Sequence, residues 1–393
     1  MAKPKVCYFR GSYLNPFETQ YLEPLMDEYE MVVAHTKSHR YDVSGIKIPQ
    51  KSVACLDYIN GLIPRRVSGR LIPNPLKYFG YDEIVFGLDD LLSDVNIVHM
   101  PEQSFYSSYQ IAQRKEKHRF KLISVQDEVN PFWYVRRSTI TKRTKVVQSA
   151  TDLFIARTER AKAALLCEGV PEEKISIVGH GVDTRKFIPG ERNLDICKKL
   201  NIDKDRFIIL FVGNLFWTKG VLAIANAAKL LLMNPLMKKK NPLFLMVGQG
   251  DERAELEQRI KLLGIEKNFL LTGNLPYDLL PDIHRLADIF ILPSISTRYI
   301  LEQFGIAIIE SMSSGKPVIS THCGAIDEVV GDAGVLVQPN DYYRLHESLL
   351  RLIENEELRI ELGRKARRRV EDNFSHAVIS GKITRLYERV LTA

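Results

Sequence analysis

Short apolar runs rich in β-branched residues alternate with longer stretches of helical periodicity through most of the 393 residues. This alternation constrains the fold more than any other feature. A run such as Phe207–Val212 reads as a strand buried on both faces, and strands of that kind belong to a parallel sheet covered by helices. The pattern is clearest in the second half, where strands are expected at Phe207–Val212, Leu243–Val247, Phe269–Leu271, Ile289–Leu292, Val318–Ser320 and Val335–Val337. Helices are expected between them, at Lys219–Leu232, Asp251–Leu263, Asp278–Leu286 and Gly305–Ser314, with Gly264 and Gly315 as stops. The first half repeats the theme with strands at Val6–Phe9, Met31–Ala34, Ile97–Val98, Leu122–Val125, Leu153–Ala156 and Ile175–Val178. Residues Ser38 to Ser93, with Pro49, Pro64, Pro73 and Pro75, read as long irregular loops.

The chain is too long for one ordinary core and suits two domains of roughly 150–200 residues. The polar stretch Asp183–Asn201 reads as the connection. The expected domains are 1–185 and 186–375, with a C-terminal helix over 376–393 packing back on the first. Two such α/β sheets facing one another would bind a ligand at the carboxyl ends of their strands, in a central cleft.

Hydrophobic residues make up 45% and charged residues 26%, a globular composition. No apolar run approaches the ~20 residues of a membrane helix, and Val6–Phe9 follows the start without a signal-type segment, so a cytoplasmic protein is expected. The five cysteines are scattered without a Cys-x-x-Cys pair, which argues against disulfides and zinc. The net charge of +7 favours anionic partners. It gathers in two runs, Arg136, Arg137, Lys142, Arg143, Lys145 and Arg364, Lys365, Arg367, Arg368, Arg369. The first reads either as a solvated helix face or as a contact with an anionic membrane; the second reads as a solvated helix face. No nucleic-acid motif accompanies either.

The strongest motif is Glu302-Gln303-Phe304-Gly305-Ile306-Ala307-Ile308-Ile309-Glu310, placed after the strand that ends at Leu292-Pro293-Ser294. Gly305 lets a ligand approach the backbone, and a helix starting there offers amide donors to phosphate. Glu310, two turns on, can accept from ribose hydroxyls. Gly248-Gln249-Gly250 lacks the third glycine of a dinucleotide fingerprint, since Arg253 holds that place. No Asp-x-Asp stands at a strand end, and Asp89-Asp90 reads as a helical surface, so no metal is expected.

From Phe207 to Phe374 the chain resembles the donor domain of the retaining glycosyltransferase family 4, of the GT-B fold. The resemblance rests on ordered landmarks: Gly213-Asn214-Leu215 with Lys219-Gly220, Val247-Gly248-Gln249-Gly250, Thr272-Gly273-Asn274, Leu292-Pro293-Ser294, the glutamate pair, Gly315-Lys316-Pro317-Val318-Ile319 and Asp332–Val337. It implies a GT-B enzyme of two Rossmann-like domains that moves a sugar from a nucleotide diphosphate, UDP or GDP, with retention and without metal or other cofactor. Glu302 would sit by the donor sugar and the amides of Phe304, Gly305 and Ile306 along the diphosphate. Glu310 would hold the ribose, Lys219 would neutralise the departing diphosphate, and Gly11 would make room for phosphates.

Two positions depart from the family's pattern. Asn214 stands where an arginine is usual, and Arg298 is the expected replacement. Gln126 stands where many relatives carry a histidine beside the donor sugar, which leaves His99 as a further polar candidate. The first basic run points to a lipid-linked or membrane-proximal acceptor and to cell-surface polysaccharide or glycolipid synthesis. Competing readings are an inactive donor-binding subunit and a nucleotide-sugar epimerase or phosphorylase on the same scaffold.

Overall fold

A computed structural model describes residues 2–38, 40–62, 83–134, 138–297 and 300–393. The backbone divides into two units, residues 1–181 with 376–393, and residues 182–375.

The first unit is built on a parallel sheet of seven strands: β1 (Lys5–Phe9), β2 (Glu30–Thr36), β3 (Gln50–Val53), β4 (Ile97–Met100), β5 (Lys121–Gln126), β6 (Leu153–Ala156) and β7 (Ile175–Ile177). Their spatial order is β3-β2-β1-β4-β5-β6-β7. The chain therefore winds outward from β1 in one direction and from β4 in the other. Tyr8 of β1 is registered between Val33 and His99, and the central strands carry almost only buried apolar residues. The helix His376–Thr392 belongs here: Ile379, Ile383, Tyr387 and Val390 enter the core with Tyr8, Tyr21, Leu22 and Tyr29.

β3 is the one described strand that lies wholly within the stretch expected to be irregular, together with short helices at Leu56–Leu62 and Leu88–Leu92. Only Val53 of Gln50-Lys51-Ser52-Val53 is buried, so this edge strand carries no apolar run to announce it. Residues 63–82 of that stretch lie outside the described ones.

The second unit has six parallel strands: β8 (Ile208–Val212), β9 (Leu243–Val247), β10 (Phe269–Gly273), β11 (Ile289–Leu292), β12 (Val318–Thr321) and β13 (Val335–Val337). Their order is β10-β9-β8-β11-β12-β13, the same winding with β8 and β11 at the point of reversal. β8, β9 and β11 are buried at every residue and read as continuous apolar runs, while β12, equally buried, ends on Ser320 and Thr321.

The second basic run braces this unit. Arg367 donates to the carbonyls of Phe187 and Ser313 at 2.7 Å and of Thr184 at 3.0 Å, and Arg369 to those of Val329 and Glu328. Lys365 and Arg368 make exposed intrahelical pairs with Glu361 and Asp372.

Candidate functional site

In an open α/β sheet, ligands collect at the carboxyl ends of the strands flanking the reversal point. In the second unit these are β8 and β11, and their loops bring together residues 83 apart in sequence. After β8 the chain makes a 3₁₀ turn, Trp217–Lys219, closed by Gly220 at φ 69°. A Cβ at Gly220 would lie 2.0 Å from the carbonyl oxygen of Pro293, so only glycine lets the two loops touch. The Ile295 amide donates to the Thr218 carbonyl at 2.8 Å and ties them further.

Lys219 Nζ then stands 2.5 Å from Glu302 Oε2, and the Ser294 hydroxyl donates to the same oxygen at 2.7 Å. The Glu302 carbonyl accepts from the Ala325 amide at 2.8 Å, fixing its backbone against the loop after β12. The Glu302 side chain is 11% exposed and that of Lys219 26%, so a partly desolvated ion pair lies open to a ligand. An anion reaching this pair would compete with Glu302 for the ammonium.

The helix Ile306–Ser313 starts from Gly305 at φ 85°. The first amides of a helix have no partner within it and carry the positive end of its dipole. Phe304, just before, is buried with its ring edge-on to Phe374 at 5.5 Å, which anchors the helix start. Glu310 is only 3% exposed. Its carboxylate accepts from the Tyr277 hydroxyl and faces His284 Nε2 at 3.7 Å. Burial and the neighbouring Glu310 charge push the Tyr277 hydroxyl well above its ordinary range. Asn214 is exposed in the turn after β8, where its carbonyl accepts from the Phe216 amide at 2.8 Å. Arg298 lies outside the described residues.

The other candidates belong to the first unit. Gly11 does follow β1 in a left-handed turn, at φ 57°, but the space over it is not open for a phosphate. The Glu83 carboxylate fills it: a Cβ at Gly11 would lie 1.9 Å from Glu83 Oε2, and the Ser12 amide donates to Oε1 at 2.6 Å. His99 has no exposed surface. Its Nδ1 pairs with the Tyr387 hydroxyl at 2.7 Å, and its ring packs edge-on to Tyr8. Burial, then the charges of Arg157 and Arg10, hold it neutral, well below the usual imidazole range. Of the two roles its strand-end position leaves open, a polar contact for a ligand or a structural one, this geometry is the structural one: the side chain points into the core, against the last helix. Gln126 ends β5, buried, with its amide nitrogen 3.5 Å from the Glu128 carbonyl and no hydrogen-bond partner for Oε1 among the described residues.

Around Gln126 lies a polar cluster that sequence reasoning missed. Asp127 Oδ1 meets His180 Nε2 at 2.9 Å and Arg157 Nε at 3.6 Å, while Arg10 pairs with Glu18 at 2.5 Å. Burial opposes the Asp127 charge, yet His180, Arg157 and Arg10 hold its carboxyl well below the usual range. Glu102 accepts from the amides of Asp127 and Glu128; burial, then those two carboxylates, push it up to about 8. Arg10, Glu102, Asp127, Arg157 and His180 each follow a strand of the sheet within a few residues. That position was the available signal. In the second unit the missed residues are Ser294, Tyr277 and His284.

Two parallel-sheet α/β units of this winding, with a lysine, a glutamate and a helix start at a reversal point, define the GT-B glycosyltransferase fold. The Anabaena HepE structure in complex with UDP shares it at 19% identity, covering 98% of this chain and 100% of that one, with a TM-score of 0.74. The family described as Glycosyl transferases group 1 matches residues 194–369, inside the second unit. An Escherichia coli relative, UDP-Gal:alpha-D-GlcNAc-diphosphoundecaprenol alpha-1,3-galactosyltransferase, is 28% identical over 263 residues, 64% of this chain and 65% of the relative. The capsular polysaccharide biosynthesis glycosyltransferase CapM of Staphylococcus aureus is 28% identical over 252 residues, 62% of each chain. The match spans about half to two thirds of the length of such curated relatives. Residues 194–369 thus resemble the group 1 glycosyl transferases, and the two units together share the GT-B fold. No helix among the described residues is long and apolar enough to cross a membrane.

Proposed function

We propose that the chain transfers a sugar from a nucleoside diphosphate sugar to an acceptor hydroxyl with retention of anomeric configuration. The observation that carries this reading is the Lys219–Glu302–Ser294 cluster beside the start of the helix Ile306–Ser313. As the bond between the anomeric carbon and the diphosphate oxygen breaks, negative charge grows on the leaving group. Lys219 and the amides at Phe304, Gly305 and Ile306 meet that charge where it develops, which is the arrangement that lowers a barrier most. The acceptor oxygen forms the new bond on the face the diphosphate leaves, and the departing oxygen takes the acceptor's proton. Glu302, held by the Ser294 hydroxyl, faces the sugar, and Glu310 takes the ribose.

UDP is the first donor nucleotide to try, because a neighbour of the same fold carries it. Lys219 supplies the positive charge that a metal ion supplies elsewhere, so transfer is expected to survive chelation. The acceptor is lipid-linked in this reading, as the substrate in the name of the E. coli relative is. Phe132 and Trp133, 43% and 45% exposed, precede the helix Ser138–Ala150, whose Lys142 and Lys145 are exposed, a pairing suited to an anionic membrane face. Arg136 and Arg137 of that run lie outside the described residues.

The test is a thermal-shift panel of UDP, GDP, ADP and their sugar conjugates, with and without EDTA, followed by transfer onto undecaprenyl-diphosphate sugars. A nucleotide at about 100 times its dissociation constant adds roughly 2.7 kcal/mol, a shift of several degrees. Binding followed by transfer supports the proposal. Binding without transfer to any acceptor favours an inactive donor-binding subunit, and no shift with any nucleotide overturns both.

A further inference from the structure

Glu310 sits in an uncommon setting for a group that receives a ligand. It is a carboxylate 3% exposed, on the helix Ile306–Ser313, and its neighbours come from the segment after β10. The Tyr277 hydroxyl hydrogen-bonds to it. His284 Nε2 faces it at 3.7 Å, beyond hydrogen-bond reach. His284 is wholly enclosed, its ring edge-on to Phe187 at 5.6 Å and tilted against Phe290 at 5.7 Å. Neither of its nitrogens has a hydrogen-bond partner among the described residues. A buried imidazole left without a bond costs stability. This one stands 3.7 Å from a buried carboxylate that the Tyr277 hydroxyl already bonds.

A carboxylate offers about four lone-pair directions. Tyr277 takes one, and the others can accept two neighbouring hydroxyls. We propose that Tyr277 and His284 are positioning residues that hold the Glu310 carboxylate to accept both ribose hydroxyls, making the site selective for ribonucleoside over 2′-deoxyribonucleoside diphosphates. This rests on the reading of Glu310 as the ribose acceptor. Tyr277 fixes the carboxylate by donating to it, and it stays a donor because burial and Glu310 keep its hydroxyl protonated. His284, clamped by Phe187 and Phe290, closes the space into which the carboxylate would otherwise withdraw. A site built to bond a substrate hydroxyl rejects an analogue lacking it, because its own buried acceptor is then left unpaired.

The experiment is calorimetric titration of the full chain with UDP, GDP and their 2′-deoxy counterparts, using wild type, Tyr277→Phe, His284→Asn and Glu310→Gln. Wild type is expected to prefer one ribonucleotide over its deoxy form by tenfold or more. Tyr277→Phe and His284→Asn are each expected to weaken the ribonucleotide about tenfold, the size of one charge-assisted hydrogen bond, and to weaken the deoxy form, which keeps only its 3′-hydroxyl, by clearly less, so that the ribo/deoxy ratio falls. A merely structural role would weaken both forms alike, and an unchanged ribo/deoxy ratio in Tyr277→Phe overturns the proposal. If His284→Asn does not fold, Tyr277→Phe, which removes a single oxygen, decides alone. Glu310→Gln separates the two levels. If it keeps the full ribo preference, or wild type binds neither ribonucleotide, the ribose reading itself fails. If it loses the preference while both positioning variants keep it, only this inference fails.

Discussion

Lys219 and Glu302, from loops after two different strands, share an ion pair of 2.5 Å that also takes the Ser294 hydroxyl on the same carboxylate oxygen. In the proposed reaction this pair is temporary: the incoming diphosphate replaces Glu302 as the partner of Lys219. Removing the cation therefore costs most when the leaving group carries most charge. Lys219→Ala is expected to lower kcat by 10²–10³-fold, the loss typical of a single charge-stabilising group, with a smaller change in KM. Lys219→Arg keeps the charge and recovers part of the rate. Steady-state transfer kinetics check this, and a KM effect without a kcat effect would mean that Lys219 only binds.

Glu102 makes stability depend on pH in a direction opposite to the usual carboxylate. Burial, then Asp127 and Glu128, raise its folded value to about 8 from 4.5. Below 4.5 the group is protonated in both states; between the two values the unfolded chain ionises and the folded one does not. Its contribution is therefore complete at low pH and is lost as pH rises toward 8, by on the order of a few kcal/mol. Glu102→Gln keeps an oxygen for the Asp127 and Glu128 amides and removes the titration. The variant's melting temperature is expected to gain on wild type steadily from pH 5 to 8; parallel curves would refute the assignment.

The two basic runs behave differently in packing, and substitution separates them. Arg367→Ala strips hydrogen bonds from the carbonyls of Phe187, Ser313 and Thr184, and about 2–4 kcal/mol of destabilisation is expected. Arg368, whose side chain is 86% exposed and 3.7 Å from Asp372, is expected to tolerate alanine within about 0.5 kcal/mol. Chemical denaturation measures both.

On the first run, Arg143 is already committed to the Tyr106 ring at 4.9 Å, whereas Lys142 and Lys145 are exposed. Lys142→Glu with Lys145→Glu is expected to cut sedimentation with phosphatidylglycerol vesicles by tenfold or more, at about 1 kcal/mol per lysine removed, and to leave the small binding to phosphatidylcholine unchanged. Trp133→Ser weakens both. Identical sedimentation of all variants would end the membrane reading.

Strands were legible wherever burial on both faces forced a continuous apolar run, as in β8 or β9. β3 was not, because an edge strand with one buried residue needs no such run. Lys219 and Glu302 stood out because glycine landmarks surround them in sequence. Their partner Ser294 was visible only as part of the Leu292-Pro293-Ser294 landmark, since a hydroxyl acquires a role only when a distant loop meets it. His99 and Gly11 show the limit of reading by strand position. A residue at a strand's end faces either the ligand side or the core, and here Tyr387, 288 residues further on, takes His99, while Glu83 fills the space over Gly11. Asp127 with His180, and Glu310 with Tyr277 and His284, are likewise pairings that only the folded chain creates.

Gly220 gives the sharpest separation of chemistry from folding. Its φ of 69° and the carbonyl of Pro293, 2.0 Å from where a Cβ would sit, leave no room for alanine without moving backbone. Left-handed strain alone costs a non-glycine residue about 1–2 kcal/mol. The larger effect is displacement of the turn Trp217–Lys219, which carries the ammonium away from Glu302. A shift of about 1 Å at a catalytic group costs roughly 10² in rate. Gly220→Ala is therefore expected to fold, melt a few degrees lower, and lose about 10²-fold in kcat. Gly264→Ala serves as the control: it has a similar φ of 65° but nothing within 4 Å of the new Cβ, at a helix end not used by the site. It should show the same order of strain and normal kcat. Equal activity in the two variants would show that the loop contact sets stability alone and that Lys219 needs no such placement.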